Sequence, residues 1–197
     1  MKQLLLIPLI LLLNACSLLT PSQPPQPLST TGDAGDEWQL SGRIAIRQGQ
    51  HADSANIDWS QTPTLYRIEL SGPLGQGGAR ILGSPAGVTL QVNGDDRRYR
   101  GATPEAVMQQ ALGWYLPISQ AHYWVQGRPD PAYPFSALPD ASGFSQLGWR
   151  IELRRVTQLP QGIVLPELLE LRYDDLRLRL LIHDWQLSNA DFRPDTN

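Results

Sequence analysis

Trp38-Gln39-Leu40-Ser41-Gly42-Arg43-Ile44-Ala45-Ile46-Arg47 decides the fold. Trp38, Leu40, Ile44 and Ile46 alternate with Gln39, Ser41, Arg43, Ala45 and Arg47, the period of a strand with one face on a core and the other in water. Working outward, the same period returns again and again. Ala55, Ile57 and Trp59 alternate with Asn56 and Asp58, and Tyr66, Ile68 and Leu70 with Arg67 and Glu69. Val88, Leu90 and Val92 continue it, as do Trp149, Ile151 and Leu153 against Arg150, Glu152 and Arg154. Two late strands, Leu169-Leu171-Tyr173 and Leu178-Leu180-Ile182, meet near Asp174-Asp175. Asn93-Gly94 predicts a tight hairpin, because both residue types accept the positive φ such turns require. These are half-buried antiparallel strands.

One segment reads clearly as helix. Thr103 can cap, Pro104 suits the first helical position, and Val107, Met108, Ala111, Leu112 and Tyr115 recur at helical spacing until Gly113 and Pro117 interrupt. A second short helix is expected at about 118–126. The chain is thus a mainly β meander with a helical insertion near its middle. A sheet apolar on one face throughout must curl over something, and a helix across its concave side covers that face incompletely.

The N-terminus carries a different message. Lys2, the apolar run Leu4 to Leu13, and Ala15 before Cys16 have the positive start, apolar stretch and small residue of a secretory signal. The run is about half the roughly 20 residues of a membrane span and contains Pro8, so residues 1–15 read as a signal peptide. The cut falls before the chain's single cysteine, the pattern of a bacterial lipoprotein lipidated at Cys16, with Asn14 where a smaller residue is usual. A lone cysteine leaves no intramolecular disulfide, CxxC pair or cysteine zinc cluster, so stability must come from an ordinary core. Three acyl chains at about 0.8 kcal/mol per buried methylene would hold the chain permanently. Ser17, where aspartate would signal inner-membrane retention, favours the periplasmic leaflet of the outer membrane. Residues 16–37, rich in Pro, Ser, Thr, Gln and Gly, read as a tether able to reach about 60 Å at about 3.1 Å per residue. Residues 38–187 form one domain, and 188–197 a polar tail.

Charge and motifs exclude several functions. The chain carries −3, becoming −4 when Lys2 leaves with the signal, which does not suit a nucleic-acid binder. Every other basic residue is arginine. Gly83-Ser84-Pro85-Ala86-Gly87 misplaces the serine of a nucleophile elbow, and His51, His122 and His183 are far apart with no HExxH. Gly75-Gln76-Gly77-Gly78 lacks the spacing and Lys-Ser/Thr ending of a phosphate loop. Asp95-Asp96 and Asp174-Asp175 sit at hairpin ends, where solvated turns are the ordinary use of such pairs. No catalytic residue, metal site or cofactor is expected.

The signal ending at Cys16, the tether, Gly42-Arg43-Ile44, the Gly72-Pro73-Leu74-Gly75 loop, the Thr103-Pro104 helix and the closing Ile182-His183-Asp184-Trp185 strand together resemble the LolB family of outer-membrane lipoprotein receptors. The resemblance spans nearly the whole chain. It implies an incomplete antiparallel β-barrel of about 11 strands with a helical lid, holding lipoprotein acyl chains in the apolar space between. It further implies that a soluble periplasmic carrier, LolA, hands triacylated lipoprotein cargo mouth to mouth to a monomeric receptor. The receptor then releases it into the phospholipid of the inner leaflet without nucleotide hydrolysis. Cavity candidates are Trp38, Leu40, Ile44, Ile46, Ile57, Trp59, Tyr66, Ile68, Leu70, Val88 and Leu90, joined by lid residues Val107, Ala111 and Leu112; each fits a closed core equally well. In the family, the leucine at the position of Leu74, between Pro73 and Gly75, projects into solvent and helps deliver cargo; the alternative folds it back onto the barrel. A structural outer-membrane lipoprotein with a filled barrel, or a lipoprotein hydrolase, are the competing readings.

Overall fold

A computed structural model describes residues 29–72, 77–94, 96–112 and 116–187. Six strands, β1 (Trp38–Gln48), β2 (His51–Gln61), β3 (Tyr66–Ser71), β4 (Gly78–Ser84), β5 (Gly87–Val92) and β6 (Arg98–Gly101), precede two helices, α1 (Pro104–Leu112) and α2 (Ile118–Trp124). Five more follow: β7 (Phe135–Ala137), β8 (Gly143–Gln146), β9 (Trp149–Gln158), β10 (Val164–Tyr173) and β11 (Leu176–Leu187). They make one antiparallel sheet in the order β6-β5-β4-β3-β2-β1-β11-β10-β9-β8-β7. Sequence neighbours pair throughout, and β11 returns to β1, so both ends of the domain meet at the sheet's centre. The edges β6 and β7 do not pair, and the chain between them supplies the helices. This is the open, mainly β barrel that the alternation and the resemblance led us to expect.

The seam between β1 and β11 has a bulge, where the register passes from Ser41↔Asp184 to Gly42↔Ile182 and leaves His183 unopposed. Gly42 makes that approach possible, since a Cβ there would stand 2.1 Å from the Leu181 carbonyl oxygen.

Register sorts the loops to two ends. The β1–β2, β5–β6, β8–β9 and β10–β11 turns and the ends of β3 and β4 at Ser71 and Gly78 share one rim. The opposite end is closed by three tryptophans. Trp38 lies 5.3 Å from Trp59 and 5.5 Å from Trp185 between ring centroids, and the Trp185 indole donates to the Pro166 carbonyl at 2.9 Å.

Several expectations needed adjustment. The second helix ends at Trp124 rather than near 126. Gly94 alone takes positive φ (84°) in the Asn93-Gly94 turn. The tether does not run free to residue 37: Thr31 bridges Val164, Asp33 pairs with Arg128 at 3.0 Å, and Ala34 is buried. Strands β4, β6, β7 and β8 escaped the alternation because they are short or interrupted by glycine, as in Gly-Ala-Arg-Ile-Leu-Gly-Ser and Arg-Tyr-Arg-Gly.

Candidate functional site

The inward faces of the central strands and the underside of the helices enclose an apolar void of about 70 Å³. Ile44, Ile46, Ile57, Trp59, Ile68 and Leu70 line it from β1, β2 and β3, and Ile81, Leu171, Leu178 and Leu180 from β4, β10 and β11. Met108, Leu116, Ile118, Ala121 and Val125 close it from the helical side. Ile44, Ile46 and Leu70, nearest the rim, are only partly buried, so the apolar interior reaches the surface there.

Other cavity candidates lie elsewhere. Trp38, Leu40, Val88, Leu90 and Val107 sit in packed core, and Tyr66 and Ala111 pack against it half-buried. The Leu112 side chain, Cys16 and the Pro73-Leu74-Gly75 loop lie outside the described residues. Sequence reasoning did not assign Ile81, Met108, Leu171, Leu178 or Leu180 to the cavity. For the strand residues the alternation with Arg80, Arg172, Arg177 and Arg179 was the available signal, and for Met108 its helical spacing with Val107, Ala111 and Leu112.

The helical cover is fastened at identifiable points. Thr103 caps α1, its hydroxyl accepting from the Ala106 amide at 3.3 Å. The Glu105 carboxylate accepts from the Ser119 amide at 2.9 Å and so ties the first turn of α1 to that of α2. At the far end of α2, Gln146 of β8 is buried and fully satisfied. Its carbonyl accepts from the Trp124 indole at 2.7 Å and the Asp130 amide at 2.9 Å, while its amide donates to the Asp130 and Tyr133 carbonyls at 2.8 and 2.9 Å. Trp124 itself lies 6.0 Å from Trp149.

Among the described residues none that lines the void is charged. Burial pushes the Tyr66 phenol far above its usual range, with Glu105 adding to the effect, so it stays neutral. The indole nitrogens of Trp38, Trp59 and Trp149 and the Tyr66 hydroxyl are buried without a partner. His51 and His183 are exposed on strands, while His122 is half-buried on α2, and burial lowers its pKa. Among the described residues no three His, Cys, Asp or Glu side chains gather as metal ligands. The arrangement suits apolar matter.

Comparison with known proteins agrees. A family model described as outer membrane lipoprotein LolB matches residues 36–185. An outer-membrane lipoprotein LolB of Chromohalobacter salexigens is 43% identical over 77% of this chain and 72% of its own length. The protein of that name from Cellvibrio japonicus is 38% identical over 86% and 87%, respectively. Among solved structures, a LolA superfamily protein from Nitrosomonas europaea matches with a TM-score of 0.49 and 10% identity over 79% of this chain and 87% of its own, too loose a likeness to carry weight. With the family model covering most of the domain and relatives this similar over three quarters of the chain or more, the chain belongs to the LolB family of outer-membrane lipoproteins.

Proposed function

We propose that this protein, anchored through Cys16, receives triacylated lipoproteins from a soluble LolA-like carrier and inserts them into the inner leaflet of the outer membrane without nucleotide hydrolysis. The carrying observation is the void between sheet and helices, lined by hydrocarbon and by the Trp59 ring, with half-buried Ile44, Ile46 and Leu70 at the rim. An acyl chain of about fifteen methylenes sheltered from water gains roughly 12 kcal/mol at about 0.8 kcal/mol each. A void of about 70 Å³ is below the roughly 150 Å³ that admits benzene and the roughly 300 Å³ at the small end of ligand pockets. The described form is therefore closed, and cargo entry requires α1 and α2 to move off the sheet. Their few polar fastenings are each worth about 1 kcal/mol net, and the apolar undersides that leave the sheet, Met108, Ile118 and Ala121 among them, are covered again by the entering acyl chain. Transfer down a gradient of affinity needs no further energy source.

In this reading the inward residues of β1, β2, β3 and β5 and the lid residues Val107, Ala111 and Leu112 form the expanded pocket. Leu74, flanked by Pro73 and Gly75, is the hydrophobic contact that delivers cargo to the membrane. The small void is also what a filled, structural barrel would have, and the two readings differ in whether cargo enters. The test is transfer of a labelled triacylated lipoprotein from its soluble carrier, through the full-length protein, into liposomes, with native Leu74 and with Leu74→Glu. Cargo uptake by both, with delivery failing in the variant, supports the reading. No uptake by either moves the structural lipoprotein to first place.

A further inference from the structure

On the convex face, the paired registers bring four arginines into one row. Arg150 of β9 opposes Arg172 of β10, Arg172 opposes Arg177 of β11, and Arg177 opposes Arg47 of β1. At about 4.8 Å between strands the row spans roughly 14 Å. Like charges directly opposite destabilise a sheet, so three successive such pairs in a chain of net charge −3 need a reason other than stability.

The row is anchored from behind and free in front. Glu152, nearly buried, binds Arg150 and Arg154 at 2.8 Å, and Glu170 binds Arg172 at 2.9 Å. Burial works against the Glu170 charge, but its hydrogen bonds from Arg172 and Arg154 prevail and hold it ionised. Arg47, Arg177 and Arg179 have no ion-pair partner among the described residues. With Arg172 they line an open groove of about 340 Å³, whose acids are Asp53 and Glu170. Asp174 and Asp175 occupy the adjacent hairpin tip. Both face and place matter: the row lies outside the apolar interior, one or two residues from the rim where that interior reaches the surface.

We propose that this row is a docking surface for the anionic headgroups of the membrane's phospholipids. The inference rests on the anchoring at Cys16 read above, which keeps the domain within a tether's length of such a surface. Guanidinium groups suit it, since their forked donors match phosphate oxygens, and charges this close act together within the screening length of about 8 Å. Resting on this flank, the domain sets beside the lipid the rim where its apolar interior reaches the surface.

The experiment uses the full-length lipidated chain in vesicles of phosphatidylcholine with or without phosphatidylglycerol, each containing a nitroxide-headgroup lipid. Because Cys16 is the only cysteine and is acylated in this reading, Ala52→Cys, opposite Arg47, gives one fluorescent label site; Pro85→Cys at the far end is the control. Quenching at residue 52 should require phosphatidylglycerol and vanish at about 1 M salt, where the screening length is about 3 Å. The Arg47→Gln/Arg177→Gln pair should weaken docking roughly thirty-fold, at about 1 kcal/mol for each basic residue. Its melting temperature should not fall, since a repulsion is removed. Equal quenching on neutral vesicles, or quenching indifferent to the double substitution, overturns the proposal. So does a variant that keeps lipid quenching but loses uptake of cargo from the carrier, which would make the row a carrier surface. Cargo transfer read in the same vesicles separates the two ideas: failed uptake by the unsubstituted chain refutes the receptor reading and leaves the lipid contact to be judged by quenching. If the chain proves unanchored, salt-sensitive flotation with anionic vesicles alone, lost in the double variant, supports the contact by itself.

Discussion

Replacing Gln146 with leucine should unfasten the helical cover while keeping side-chain volume. The glutamine makes four hydrogen bonds of 2.7 to 2.9 Å, filling both lone pairs and both amide hydrogens. In Gln146→Leu the Trp124 indole and the Asp130 amide are left buried and unpaired, while the Asp130 carbonyl keeps the Tyr133 amide at 3.2 Å and the Tyr133 carbonyl, belonging to an exposed residue, can turn to water. At about 1–3 kcal/mol for each of these two unsatisfied groups, offset by the apolar gain of leucine, the net loss is about 2–4 kcal/mol. For a chain of this length that lowers the melting temperature by roughly 5–15 °C. Gln146→Glu keeps the two accepted bonds but sets a carboxylate against two carbonyls, so its loss should shrink as pH falls. Urea and thermal unfolding of both variants measure the cost, and amide exchange at Asp130 reports whether the damage is local to the cover. A Gln146→Leu protein within about 1 kcal/mol of the unsubstituted chain would refute the assignment of Gln146 as the clamp.

Three further outcomes are expected. Gly42→Ala places a methyl group 2.1 Å from the Leu181 carbonyl oxygen, against backbone that cannot swing aside; a loss of about 3 kcal/mol or more in urea unfolding is expected, with exchange accelerated along β1 and β11. Glu152→Gln removes the acid shared by Arg150 and Arg154; because those arginines are over a third exposed, a cost of about 1–2 kcal/mol is expected, fading with salt in melts. His122 is lowered by burial, so the fold favours its neutral form, and the stability this gives is present above the ordinary imidazole range and lost as pH falls through it. Melting temperature should therefore fall between about pH 8 and about pH 5.5, and fall less in His122→Gln.

The strands legible in the sequence were those long enough to alternate, such as β1, β3 and β9, where a polar residue every second position marks the solvent face. Gln146 illustrates what was not legible. It lies on the same face as Phe144 in a strand of four residues, and nothing local shows that its amide is satisfied by a turn sixteen residues earlier in the chain. The packing of Thr31, Asp33 and Ala34 was hidden for a similar reason, since glycine-rich composition reads as tether while the contacts that fix it come from Arg128 and Val164. The candidate cavity was legible as a set of inward residues. Which of them face the void and which are sealed core depends on the curvature of the sheet and the seating of α1 and α2. The arginine row needed register, because Arg47, Arg150, Arg172 and Arg177 are scattered in sequence and meet only through three separate pairings.

The central claim is that acyl chains enter between the sheet and the helices, and photo-crosslinking tests it most directly. A photoreactive phenylalanine analogue placed at Leu180, which lines the void, or at Leu82, which is exposed on the far side of β4, would be incubated with carrier loaded with radiolabelled triacylated lipoprotein. The account predicts crosslinks to the acyl chains from residue 180 and none from residue 82. Equal labelling at both positions, or none at residue 180 while cargo is being transferred, would contradict it.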